Sequence, residues 1–176
     1  AAAALVLALV VIGGIAPVAA SASAMPGDVL YRVKELRDNT QLWFTRSPEA
    51  KVDLYTRFVR VRVDELQTLA SRDAAHADDI SQAVHRLGDQ LNALDLEVSE
   101  AVEGSIETGG VAPSFVQTVA DAAVEQDAAR IALQGTLGSA SIGAQPDLKR
   151  AILILSDASN RVSAALDSMA QSEQNK

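Results

Sequence analysis

The first 27 residues contain no ionisable side chain, and the first charged residue of the chain is Asp28. Leucine, valine and isoleucine supply the hydrophobicity of this stretch, with alanine between them. About 20 residues of helix span about 30 Å, which is the thickness of the hydrocarbon core of a bilayer. The sequence therefore predicts a membrane-spanning helix within residues 1–24.

A cleaved signal peptide is the alternative interpretation of this segment. Ala22-Ser23-Ala24 has the small residues of a cleavage site, although the apolar run is longer than that of most signal peptides. In both cases residues 25–176 are expected to form an extracytoplasmic helical domain. We expect a single-pass protein of the cell membrane, with secretion after cleavage near Ala24 as the alternative.

The remaining chain shows the spacing of amphipathic helices and no sustained alternation typical of strands. We expect an all-α fold in which an elongated antiparallel bundle of about five helices follows the N-terminal segment. Ser47 is the expected N-cap of the second helix, and Pro48 its first residue. The expected helices are residues 28–45, 48–73, 78–104, 113–137 and 146–170.

Two helices carry apolar residues that alternate in steps of four and three, the pattern of a coiled coil or a helical bundle. We interpret these positions as a candidate interaction seam. They are Ile80, Val84, Leu87, Leu91, Leu94 and Val98 on the third helix, and Leu148, Ile152, Leu155, Val162, Leu166 and Met169 on the last.

Two further patterns give specific expectations about burial. On the second helix Arg62 interrupts the apolar stripe, and we expect its guanidinium to reach solvent while its stem covers apolar surface. The buried edge of the fourth helix is expected to comprise Phe115, Val119, Ala122, Ala129 and Leu133.

Composition argues against several classes of function. The net charge of −8 disfavours nucleic acid as a partner, because phosphate binding needs a clustered positive surface. The absence of cysteine excludes disulfides and thiolate chemistry. His76 and His85 do not have the spacing of a helical metal pair, which leaves His76 with Asp78 and Asp79 as a weak alternative. We expect no cofactor, no metal and no catalytic residues.

The junction between the apolar segment and the helices resembles a known bacterial family. The residues that carry the resemblance are Pro26, Gly27, Asp28, Leu30, Tyr31 and Lys34, followed by Leu42, Thr45 and Pro48. The family is a domain of unknown function, common in actinobacteria and chloroflexi, that follows a single membrane-spanning segment. The resemblance implies an exported helical domain, encoded near extracytoplasmic sigma factors and their anti-sigma partners, in which the shared residues are structural.

These observations favour a non-enzymatic, membrane-anchored interaction domain that binds membrane lipid and another envelope protein. By family analogy it would be a sensor or regulatory partner in envelope signalling. A structural subunit of a membrane complex, or a stalk that associates with itself through the seams, is the first alternative. A secreted bundle that binds a ligand or a metal is the second.

Overall fold

The computed structural model describes residues 40–72, 77–108 and 110–174, with side chains throughout except at 106–108. The described chain is helical apart from its caps and connections, which confirms the expected all-α class with about five helices. Residues 40–44 are helical and belong to one compact unit, whereas the second compact unit begins at Thr45. Within residues 40–44 the rings of Trp43 and Phe44 meet edge to face, with their centroids 5.2 Å apart.

Four long helices form the second unit, and their bounds follow from local caps. They are α1 (Pro48–Ala70), α2 (Ala77–Thr108), α3 (Pro113–Leu137) and α4 (Gln145–Gln174). Helix α1 begins as expected, because Ser47 Oγ accepts a hydrogen bond from Ala50 N at 3.2 Å. It ends at Ala70 instead of residue 73, because the next backbone amides turn back to the carbonyls of Gln67 and Leu69.

Helix α2 continues to Thr108, past the end expected near Gly104. A glycine costs a helix interior only about 1 kcal/mol relative to alanine, and the flanking Val102 is buried in the core. The helix is closed instead around Gly110, whose amide donates to Ser105 O at 2.8 Å and whose φ is 130°. That left-handed backbone favours glycine, so Gly110 is the residue that lets the chain reverse here.

Each helix of the bundle packs against two others. Helix α1 contacts α2 and α3, and α4 contacts the same two helices, so that α2 and α3 lie diagonally although they are consecutive in sequence. Near the ends of α1 and α3, Gln67 Nε2 donates to Ala132 O at 3.3 Å and to Thr136 Oγ1 at 3.1 Å. Helices α1 and α3 therefore run parallel to each other.

The expected antiparallel order holds for consecutive helices but not for all neighbours. Each short connection reverses the direction of the chain, so α1 and α3 share one direction and α2 and α4 share the other. Because α2 and α3 lie diagonally, α1 becomes a neighbour of α3 and α2 a neighbour of α4. Helices α2 and α4 are also parallel neighbours, and Arg161 Nε lies 3.0 Å from Asp95 Oδ2 between them.

The core consists of two apolar clusters stacked along the bundle. One joins the C-terminal halves of α1 and α3 to the N-terminal halves of α2 and α4, and the other joins the opposite halves. At the second cluster Lys51 Nζ on α1 contacts both carboxylate oxygens of Glu97 on α2, at 3.0 and 2.9 Å. Tyr55 packs against the same cluster.

Candidate functional site

The junction residues lie outside the part of the chain that the structure describes. They are Pro26, Gly27, Asp28, Leu30, Tyr31 and Lys34. The N-terminal apolar segment lies outside it as well. Among the described helices, none has an apolar stretch long enough to cross a bilayer.

The candidate seam residues lie inside the bundle, where they pack α2 and α4 against the other helices. All six of the α2 positions are buried, and so are Leu148, Leu155, Val162 and Met169 of α4. Ile152 and Leu166 are partly buried and pack against the same clusters. Because the core of this chain already covers these side chains, a partner surface has to be sought elsewhere on the bundle.

Arg62 does not reach solvent, contrary to the expectation from sequence. Its side chain is 2% exposed, and Nη1 lies 2.8 and 3.0 Å from the two carboxylate oxygens of Glu65, which is 3% exposed. One helical turn places these two residues on the same side of α1. The ion pair compensates the charge of the guanidinium, so Arg62 is buried as part of a pair instead of extending into water.

The histidines offer no metal centre in the described residues. His76 lies outside the described chain. His85 is on the surface of α2, where Nδ1 lies 3.0 Å from Asp89 Oδ2. No group of three or more histidine and carboxylate side chains converges within residues 40–72, 77–108 and 110–174.

A charged groove runs between α2 and α4. His85 and Asp89 line it on α2, and Arg150 and Arg161 line it on α4. Its charges pair locally, since His85 contacts Asp89 and Arg161 contacts Asp95. His85 and Asp89 are well exposed, whereas Arg161 and Asp95 are partly exposed. Pairs near the surface contribute about 0–1 kcal/mol. The arrangement is typical of a solvated helix boundary.

A second groove lies between the parallel helices α1 and α3. Val59 and Val63 form its α1 wall, and Ala128, Ala129 and Ala132 form its α3 wall. Its volume is about 180 Å³. The alanines leave room where larger residues would fill the space between two neighbouring helices. We call this feature the α1–α3 groove.

Gln126 gives the α1–α3 groove its unusual chemistry. The residue lines the groove and is 1% exposed. Neither its Nε2 nor its Oε1 has a hydrogen-bond partner among the described residues. A buried amide is normally bonded, because an unmade bond to a desolvated polar group costs about 1–3 kcal/mol. The groove is therefore lined by a residue whose amide donor and acceptor the described bundle does not use, and both atoms are closed off from solvent.

An ion pair connects the two rims of the α1–α3 groove. Arg60 of α1 contacts the carboxylate of Glu125 on α3. The hydrogen bond and the charge of Glu125 raise the pKa of Arg60 above its ordinary value, with a smaller contribution from Asp64. Both side chains of the pair are exposed, so water and salt screen it. The groove is thus bordered by a pair that is easily opened.

The outer face of α3 consists of Val124, Ala128, Ile131 and Gly135. These residues follow one another in steps of four, three and four, so they share one side of the helix. All four are exposed, with Val124 at 68% and Ile131 at 56%. Helix α3 therefore has one polar residue, Gln126, on its mostly apolar buried side, and two branched apolar residues on its exposed side.

Sequence periodicity found most of the inner side of α3 and missed its two unusual features. The five expected residues of its buried edge are all buried, and Gln126 completes the set. The signal was present, because the stripe skips from Ala122 to Ala129 and Gln126 occupies the intervening helical position. The exposure of Val124 and Ile131 was not predicted, because branched apolar residues are usually expected on the buried side of a helix.

The comparisons with known proteins give the family but no activity. A model of the family described as Domain of unknown function (DUF5667) matches residues 23–137, which is more than half of the chain and ends where α3 ends. No curated protein matches, and no solved structure matches. The chain belongs to the DUF5667 family of domains of unknown function.

Proposed function

We infer that this protein is a non-enzymatic helical interaction domain, anchored at the outer side of the cell membrane by its N-terminal segment. It binds another envelope protein through the outer face of α3. The observation that carries this proposal is the apolar stripe on the outer face of α3, where Val124 and Ile131 lie exposed while Gln126 is buried. Departures from the usual pattern of burial are expected at functional sites, because they lower stability unless a partner compensates.

The composition of the outer face supports a helical segment of a partner as its occupant. Ala128 and Gly135 present almost no side chain, so the backbone of a second helix can approach α3 closely. Val124 and Ile131 flank Ala128 by about one turn each and provide the apolar contacts. Burying two branched side chains contributes about 1.5–3 kcal/mol each.

The interaction can be tested by placing a photo-reactive amino acid at Val124 or Ile131 in the full chain, in the cells that produce it. We expect one distinct protein to be cross-linked from both positions. Leu96 on α2 and Leu153 on α4 are matched controls, because they are also apolar and well exposed. Equal cross-linking from the control positions, or none from α3, would show that the outer face of α3 is not a binding surface.

The location has an independent test, since the chain contains no cysteine. Ile142 lies in the connection between α3 and α4 and is 88% exposed, which makes Ile142→Cys a clean labelling site. An extracytoplasmic domain is labelled by a membrane-impermeant maleimide in intact cells. Labelling only after lysis would place the bundle on the cytoplasmic side and overturn this part of the proposal.

A role in envelope signalling extends the proposal by analogy with the family. A partner that is itself an anti-sigma factor or another membrane signalling protein would support the extension. A self-associating stalk is less well supported, because the seam residues that motivated it form the core of one chain. Cross-linking of Val124 to a second copy would favour that alternative.

A further inference from the structure

The amide of Gln126 is the one buried polar group of α3 whose hydrogen bonds the bundle does not supply within the described residues. A neutral amide in this state attracts a ligand that offers a donor and an acceptor together. A carboxamide meets that requirement, because two amides placed edge to edge exchange two N–H···O bonds. A carboxylate lacks the donor, and Arg60, the cation that lines the groove, already contacts Glu125.

The walls of the α1–α3 groove set the shape of what reaches this amide. Val59 and Val63 face Ala129 and Ala132 across the groove, so most of the surface that an entering group meets is hydrocarbon. Polar side chains complete the lining, namely Thr56, Arg60, Asp64, Gln67 and Glu125. A short apolar stem that ends in a carboxamide suits these walls, and it would satisfy Gln126 once the amide of Gln126 turns toward the groove. That is the chemistry of an asparagine or glutamine side chain.

We propose that the α1–α3 groove is a specificity site that receives one asparagine or glutamine side chain from a helix docked on the outer face of α3. Ala128 belongs both to the groove and to that face, so the two surfaces are continuous. That the carboxamide comes from a docked helix rests on the proposed function. That the groove prefers a carboxamide rests on the buried amide of Gln126 alone. A site built around a hydrogen-bonded pair rejects side chains that lack one, which makes this contact the selective part of the interface.

The carboxamide preference is tested with small probes and the full chain in detergent micelles. Butyramide, 2-pentanone and butyrate have nearly the same shape but differ in the donor and the charge. We expect butyramide to shift the side-chain NH₂ resonance of Gln126 and to bind about tenfold more tightly than 2-pentanone or butyrate, the difference that one neutral hydrogen bond gives. Equal binding of butyramide and 2-pentanone would overturn the proposal.

Variants separate recognition from general packing. Gln126→Leu and Gln126→Met keep a side chain of similar length and are expected to bind butyramide and 2-pentanone equally. Gln90→Leu is the matched control, because Gln90 is a partly buried glutamine of α2 outside the groove. If Gln90→Leu also loses the preference for butyramide, the preference depends on overall packing. That result would overturn the proposed site at Gln126.

The occupant is tested by competition with the cross-linking experiment. Butyramide at saturating concentration is expected to reduce the adduct formed from Val124, and the Gln126→Leu substitution is expected to reduce it further. An unchanged adduct, with butyramide still bound to Gln126, would overturn the helical occupant. Butyramide binding without any adduct from α3 would leave the carboxamide site in place and remove the proposed docking function.

Discussion

Arg62 Nη1 contacts both carboxylate oxygens of Glu65 one turn along α1, at 2.8 and 3.0 Å, and the two side chains are almost completely buried. The sequence presents them as ordinary members of a charged helix. Burial changes their energetics, because an ion removed from water depends on its counter-ion. Each of the two charges therefore lowers the cost of burying the other.

Removing one member of this pair should destabilise the protein strongly. Arg62→Met removes the positive charge that contacts the buried carboxylate of Glu65, and we expect a loss of about 3–5 kcal/mol in the free energy of unfolding. The double variant Arg62→Met/Glu65→Leu removes both charges and should recover most of that loss. Chemical denaturation of Arg62→Met, Glu65→Leu and the double variant measures the coupling. A single variant as stable as the double would contradict this account of the pair.

Gln126→Leu should stabilise the protein while it removes the proposed binding site. The substitution exchanges a buried amide that has no partner for an apolar side chain, which is worth about 1–2 kcal/mol. The denaturation midpoint should rise with an unchanged slope. Gln134→Leu, at an exposed position of the same helix, is the control for adding a leucine elsewhere. A fall in stability of Gln126→Leu would indicate that the amide is satisfied in solution by ordered water.

Stability should decrease in alkaline solution as Tyr55 ionises. Burial raises the pKa of the Tyr55 hydroxyl above its ordinary value of 10.0, Glu97 raises it further, and Lys51 opposes both. The folded protein holds this proton more tightly than the unfolded chain does. The contribution is thus fully present below pH 10 and is lost as the pH rises through the raised pKa.

Ultraviolet absorbance of the phenolate measures this ionisation directly. The chain has two tyrosines, so Tyr31→Phe leaves Tyr55 as the sole reporter. The folded variant should titrate above the pH at which the same chain titrates in denaturant. A Tyr55 that titrates at the same pH in both states would be exposed, in conflict with its packing against the core.

Substitutions on the outer face of α3 should separate binding from folding. Val124→Ser and Ile131→Ser change exposed side chains, so the free energy of unfolding should stay within about 0.5 kcal/mol. Leu133→Ala on the inner side of α3 should cost about 2–5 kcal/mol. The serine variants should nevertheless lose the cross-linked partner. Large destabilisation by Val124→Ser would mean that this side chain has a structural role.

Helix α4 should be indispensable although it lies beyond the family match at residues 23–137. It contributes Leu148, Ala151, Leu155 and Ala158 to the core and packs against both α2 and α3. A chain that ends at residue 144 should lose cooperative unfolding and bind hydrophobic dyes. A chain that ends at Ala170 keeps these contacts and should unfold cooperatively. Cooperative unfolding of the shorter chain would show that three helices suffice.

The periodicity of apolar residues predicted which side of each helix is buried. Leu87, Leu91 and Leu94 follow it, and all three are completely buried. The pattern does not specify which helices are neighbours, because a buried stripe fits any adjacent stripe of similar width. The parallel contact of α1 with α3 was therefore not predictable, and neither was the groove that depends on it.

The polar residues of the core were beyond the same reasoning for a different reason. A stripe position occupied by arginine or glutamine is expected to turn its polar end to water, and the burial of Arg62 depends on the counter-ion at Glu65. Gln126 is buried without any such partner among the described residues. The sequence pattern therefore gives no signal that the amide of Gln126 is buried without a hydrogen-bond partner.

The cluster that joins Val52 of α1 to Val162 and Met169 of α4 places the first and last turns of the bundle at the same end. The connection that contains Ile142 therefore lies at the opposite end of the bundle from Thr45. The two ends are about 37 Å apart, which is the length of the 25 residues of α3. A fluorescent tag placed after Gln174 would report from the end of the bundle that contains Val52, whereas an insertion near Ile142 would report from the opposite end.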